Sequence, residues 1–147
     1  EDADARDDMP WTSLCGGLAL ANAGLGAVHG MAGPLGGMAP APHGAVCGAL
    51  LPHVLEANAA QAQGPLSGRI AQVRDWMAAA IGSPPAAAFA ALAEWSAAQG
   101  LPRLGEMGVA EDDLAAIAEA ALASSSMKGN PVALSTTELE SLLRAAY

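Results

Sequence analysis

The chain has 147 residues, with six basic against fifteen acidic side chains and a formal net charge of −9. That charge repels phosphate backbones and anionic lipid surfaces, which sets nucleic acid and membrane aside as partners. Apolar residues make up 52% of the chain but aromatic ones only 3%, so a core must come from small side chains and closely approaching backbones, and one all-α domain spanning 1–147 is expected.

Met9 to Leu55 contains no Asp, Glu, Lys or Arg, yet it holds all three histidines, His29, His43 and His53. A charge-free run of this length belongs inside protein rather than in water. The chain opens on Glu1-Asp2-Ala3-Asp4, not on a basic segment followed by an apolar one, so no secretory signal and a cytoplasmic location are expected. Pro10 is expected in the first turn of a helix that runs through Leu14, Leu18, Leu20 and Val28, with Asn22 buried on it. Gly16, Gly17, Gly24 and Gly26 interrupt the apolar run, which falls short of the ~20 residues a membrane span needs. It reads as a buried helix of a soluble protein. Gly33-Pro34-Leu35-Gly36-Gly37 then breaks the helix, and Pro40 and Pro42 hold the chain extended. His43 opens the next helix, which carries Val46, Leu50, Leu51, Val54 and Leu55, with a kink expected at Pro52.

Residues 1–58 thus hold the histidines and a turn, and residues 59–147 become plainly amphipathic. Leu66, Ile70, Val73, Met77 and Ile81 recur at intervals of three and four, as one face of a helix requires. Ser83-Pro84-Pro85 starts another helix, with Phe89, Leu92 and Trp95 inward and Gly100 as its stop. Glu111, Asp112 and Asp113 suit the positive end of a helix whose buried face is Leu114, Ile117, Ala121 and Leu122. Ser135 and Glu138 stand at capping-box spacing ahead of Leu139, Leu142 and Leu143. No run alternates with strand period.

His29 and His43 are fourteen positions apart, and they converge on one metal if the Gly/Pro turn folds the chain back. Imidazole suits zinc, iron and nickel. The bland alternative is a pair of hydrogen-bonded core histidines, since two ligands fall short of the three or four a site needs. The glycines from Gly24 to Gly37 have neither the dinucleotide fingerprint nor a phosphate loop's Lys-Ser/Thr ending, so close helix packing and a turn account for them. Cys15 and Cys47 read as two buried reduced thiols without an activating base at informative spacing, and no residue is assigned as catalytic. The acidic clusters read as solvated helix ends.

The run NAGLGAVHGMAGPLGGMAPAPHGAVCGALLPHVLEAN, Asn22 to Asn58, resembles the C-terminal helical domain of iron-containing alcohol dehydrogenases. Ala5-Arg6-Asp7-Asp8-Met9 before it, and Gly100-Leu101-Pro102-Arg103-Leu104, Gly108-Val109 and Gly129-Asn130-Pro131 after it, extend the likeness over nearly the whole chain. The resemblance implies two-domain enzymes in which an α/β part binds NAD(P) and a helical part holds a divalent metal, iron or alternatively zinc, through one Asp and three His. His29 matches the ligand in G-x-x-H-G, and His43 matches the ligand in P-H-G. His53 matches a histidine of the L-P-H segment that is not a ligand. Four positions after His29, many members carry a second histidine near the nicotinamide; Gly33 stands there instead.

The remaining Asp and His ligands and the nucleotide-binding part have no counterpart in these residues. The expected function is therefore the C-terminal part of an NAD(P)-linked, metal-dependent alcohol dehydrogenase, inactive alone. It would work with a nucleotide-binding domain or partner chain, or as a homo-oligomer. The alternative is a non-catalytic helical interaction module or a truncated remnant.

Overall fold

The computed structural model describes residues 2–147, and among them every regular element is helical. Seven α-helices follow one another: α1 Ala3–Ala23, α2 Ala27–Met38, α3 His43–Gln61, α4 Pro65–Ile81, α5 Ala88–Ala98, α6 Leu114–Ala123 and α7 Thr136–Ala146. Three short 3-10 turns lie at Pro85–Ala87, Glu111–Asp113 and Ser125–Gly129.

The core gathers α2, α3, α6 and α7. Met31 and Leu35 of α2 meet Val46, Leu50 and Val54 of α3, Leu114, Ile117 and Ala121 of α6, and Leu139 and Leu143 of α7. Leu104, Met107 and Val109 close it from the loop after α5. Small residues permit close approach: a Cβ at Gly30 would strike the Met127 side chain, and one at Gly129 would overlap the Leu25 carbonyl. Alpha4 and α5 pack beside this core. Leu66, Ile70, Val73, Met77 and Ile81 do share one face but are only half-buried, and Arg74 lies 4.7 Å over the Phe89 ring.

The beginning of the chain departs from the sequence expectation. There is no single helix through Val28; Gly24, at φ +71°, ends α1, and α2 sets off at 100° to it. Only glycine takes such a φ without strain. Alpha1 starts not at Pro10 but at Asp2, whose carboxylate accepts the Ala5 amide at 3.1 Å, and Pro10 lies inside the helix. Nor is the helix buried. None of its residues is, Asn22 included; the Asn22 side chain donates instead to the Leu18 carbonyl at 2.8 Å.

Gly33-Pro34-Leu35-Gly36-Gly37 does not break the chain either: α2 continues to Met38. Pro34 forgoes one backbone hydrogen bond and the glycines have poor helix propensity, but burial of Met31, Ala32 and Leu35 on this helix outweighs both. The turn falls at residues 39–42. Pro52 lies inside α3, as expected.

Further on, Trp95 is 49% exposed and Leu122 43% exposed rather than inward, while Phe89, Leu114, Ile117 and Ala121 are buried as the periodicity requires. The capping box of α7 is complete, with Ser135 Oγ accepting the Glu138 amide and the Glu138 carboxylate accepting the Ser135 amide at 2.7 Å. The Ser135 hydroxyl, which donates to the Glu138 carboxylate at 2.6 Å, and then the Ser135 amide hold the Glu138 carboxyl below the usual range. No single helix among the described residues is long and apolar enough to cross a membrane; α1 with α2, and α4 with α5, reach that measure only as sharply bent pairs.

Candidate metal centre

Side chains from the first turns of α2 and α3 reach a common point. His29 is the third residue of α2, and His43 is the first of α3. The sequence placed His29 late in a long helix, and it stands instead in the first turn of a short one.

Its position is fixed from behind. Asn130 Oδ1 accepts the Ala27 amide at 3.1 Å, taking one of the donors that a helix start leaves without a partner. The same side chain donates to Asn58 Oδ1 at 2.8 Å and to the Val132 carbonyl at 2.9 Å, and Asn58 donates back at 3.3 Å. Asn58 is the buried polar residue of the described core. The reciprocal amide pair therefore ties the start of α2 to the last turns of α3. Gly129 allows the approach, because any side chain there would collide with Leu25. On α3, Pro42 is extended and its carbonyl accepts the Val46 amide at 3.0 Å, which sets His43 at the first helical position.

The two imidazoles come together, their ring centroids 5.3 Å apart and their planes tilted by 56°. Cys47, one turn beyond His43 on α3, completes a triangle: its Sγ is 3.8 Å from His29 Nε2 and 3.6 Å from His43 Nε2. One ligand atom from each of the three lies within 4.8 Å of the others. His29 and Cys47 are half-buried, and His43 is exposed. Burial, and then the neighbouring His43, lower the His29 pKa below its ordinary value, which favours the neutral ring that a metal needs. Burial pushes the Cys47 thiol up.

His53 does not join them. It lines a separate cleft with Pro52, Leu101 and Arg103, and burial together with the Arg103 charge lowers its pKa. Gly33 is exposed, and a Cβ there would meet open space.

Sequence reasoning missed three residues. Cys47 is half-buried rather than buried and stands against both histidines, and its signal was the four-residue interval from His43, which puts both on one helix face. Cys15 is exposed on α1, again contrary to expectation, and both thiols are free. Asn58 and Asn130, 72 positions apart, carry no local signal of their pairing.

The description of the Fe-containing alcohol dehydrogenase family's C-terminal domain matches residues 1–147. The chain belongs to that family. It is 36% identical over 146 residues to a 1,3-propanediol dehydrogenase of Citrobacter freundii, a match covering 97% of this chain and 38% of the relative. A lactaldehyde reductase of Escherichia coli (strain K12) is 34% identical over 149 residues, covering 99% of this chain and 39% of its own. The crystal structure of a 1,3-propanediol oxidoreductase superposes with a TM-score of 0.84 at 34% identity, over 98% of this chain and 38% of that one. The chain thus spans about 38% of the length of these relatives, and the fold it shares with them is the all-helical domain.

Proposed function

We propose that this chain is the metal-holding part of an NAD(P)-linked dehydrogenase that transfers hydride between an alcohol or aldehyde and nicotinamide, and that it is inactive alone. The observation that carries the reading is the meeting of the His29 and His43 rings between α2 and α3 inside a domain of the Fe-containing alcohol dehydrogenase family. The donor set fits a divalent cation such as iron or zinc: two imidazoles, one of them biased toward its neutral form, in a segment without competing positive charge. When bound, such a metal acts as a Lewis acid on the alcohol oxygen, and NAD(P) is the hydride acceptor.

The residues of this chain have more limited tasks. His29 and His43 supply nitrogen ligands. The Asn58–Asn130 pair fixes the start of α2, so that the His29 ring keeps its direction without a rearrangement on binding. Gly33, one turn beyond His29, leaves open the space that an imidazole would fill. The further ligands and the nucleotide site come from a nucleotide-binding portion or partner chain, which would also cover the exposed apolar residues of α1.

The test is an assay of the 147-residue chain with NAD or NADP, iron or zinc and short alcohols, alone and with the nucleotide-binding portion of a relative. Turnover is expected only in combination and is lost in His29→Ala. Turnover by the chain alone would contradict the reading.

A second reading, a non-catalytic module that works by association, is favoured by α1, where Met9, Trp11, Leu14, Leu18 and Leu20 are each at least half exposed. A face of that kind usually marks an interaction site. Sedimentation and assay of the same mixture with the nucleotide-binding portion separate the two: association with turnover removes the second reading, and association without turnover on any metal removes the first.

A further inference from the structure

The metal-centre reading uses two imidazoles, but the geometry offers a third donor. We infer that Cys47 is itself a ligand in this chain, so that His29, His43 and Cys47 together form a site for a thiophilic divalent cation such as zinc or cobalt. This inference rests on the metal-centre reading and sharpens it.

Three observations carry it. First, the distances fit. A tetrahedral zinc with bonds of about 2.3 Å to sulfur and about 2.0–2.1 Å to nitrogen needs nitrogen and sulfur roughly 3.5 Å apart, and the two Nε2–Sγ distances are 3.8 and 3.6 Å. Both nitrogen–sulfur sides of the triangle are close to ligating distance before any ion arrives, and the nitrogen–nitrogen side lies within 4.8 Å. Second, the scaffold holds it. His43 and Cys47 are four residues apart on α3, so the helix itself fixes their spacing, while α2 brings in His29. Third, the site is reachable, since His43 is exposed and a cation approaches from that side.

The donor type decides the ion. Met9 to Leu55 contains no carboxylate, so the chain's own set is two nitrogens and one sulfur. Such a set prefers zinc or cobalt over hard, oxygen-seeking cations such as magnesium. On binding, the Cys47 thiol gives its proton to solvent and its sulfur bonds the metal as thiolate. A fourth position remains for water or for a ligand from outside the chain.

The experiment is a titration of the 147-residue chain with cobalt(II) under reducing conditions, followed by absorption. The expected spectrum combines the visible bands of tetrahedral cobalt with a near-ultraviolet sulfur-to-cobalt charge-transfer band. Cys47→Ser and Cys47→Ala should lose the charge-transfer band and bind cobalt about tenfold or more weakly. Cys15→Ser should keep both, and circular dichroism of each variant reports its fold. Cobalt binding that is lost in His29→Ala and His43→Ala, yet shows no charge-transfer band and is unchanged in Cys47→Ser, would overturn the inference and leave the metal-centre reading standing. Absence of any cobalt or zinc binding by the wild-type chain would also overturn the inference, because three donors in one chain suffice to hold such a cation, whereas the metal-centre reading, which takes further ligands from the nucleotide-binding portion, is tested by the turnover assay.

Discussion

Alpha1 beyond Asp8 and α2 lie in the same charge-free run of small and apolar residues, and they meet opposite fates. Alpha1 runs for 21 residues and buries none of them. Alpha2 runs for 12 and buries Ala27, Gly30, Met31, Ala32 and Leu35. The difference lies in what stands opposite. Alpha2 has α3 on one side, α6 on another and the 125–129 turn across Gly30, whereas α1 projects past the bend at Gly24. An apolar helix face is an offer of burial, and a facing element determines whether it is taken up. The histidine pair sits on the side of that divide where positions are fixed.

The comparison breaks most visibly if equal truncations in the two helices have equal cost. Leu35→Ala in α2 should lower the unfolding free energy by about 2–5 kcal/mol, while Leu18→Ala in α1 should change it by less than about 0.5 kcal/mol; urea denaturation measures both. Matching losses would mean that α1 is packed after all. Next in size is Asn130→Ala. It strips the cap from the Ala27 amide and leaves the buried Asn58 side chain short of its partner, at a cost of about 1–3 kcal/mol. Hydrogen exchange should show the first turn of α2 opening while α7 stays protected.

Gly33→Ala works in the other direction. The site has open space for a Cβ and lies mid-helix, so thermal unfolding should show a gain of about 0.5–1 kcal/mol. The smallest effect expected is at His53. Burial, then Arg103, hold its folded pKa below the ordinary 6.5, so protonation favours the unfolded chain. Stability present above about pH 6.5 is lost as the pH falls toward the folded pKa. His53→Gln should flatten that part of the stability curve.

These contrasts also separate what was legible in the sequence from what was not. The later helices were legible because each carries its own evidence: the three-and-four spacing of Leu66 to Ile81, and the box formed by Ser135 and Glu138. The start of the chain was not, because there local and tertiary signals conflict. Pro34 and its flanking glycines look like a helix end in isolation, and only the burial of Met31 and Leu35 overrides them. Gly24, one glycine among many, gives the true break through a backbone angle that no composition reveals. Of the cluster, the meeting of His29 and His43 was legible in the Gly/Pro-rich segment between them and in the resemblance of their segments to a known family. Cys47 was hidden by its likeness to an ordinary core thiol, and the Asn58–Asn130 pair by the long separation of its members along the chain.

The central claim is that α2 and α3 gather His29 and His43, and not His53, around one cation. Nitrogen-15 NMR of the histidine rings, recorded before and after one equivalent of zinc, tests it directly. The account predicts that the Nε2 signals of His29 and His43 move together and saturate at a single equivalent, while those of His53 stay in place. Unmoved signals from His29 and His43, or a shift confined to His53, would contradict it.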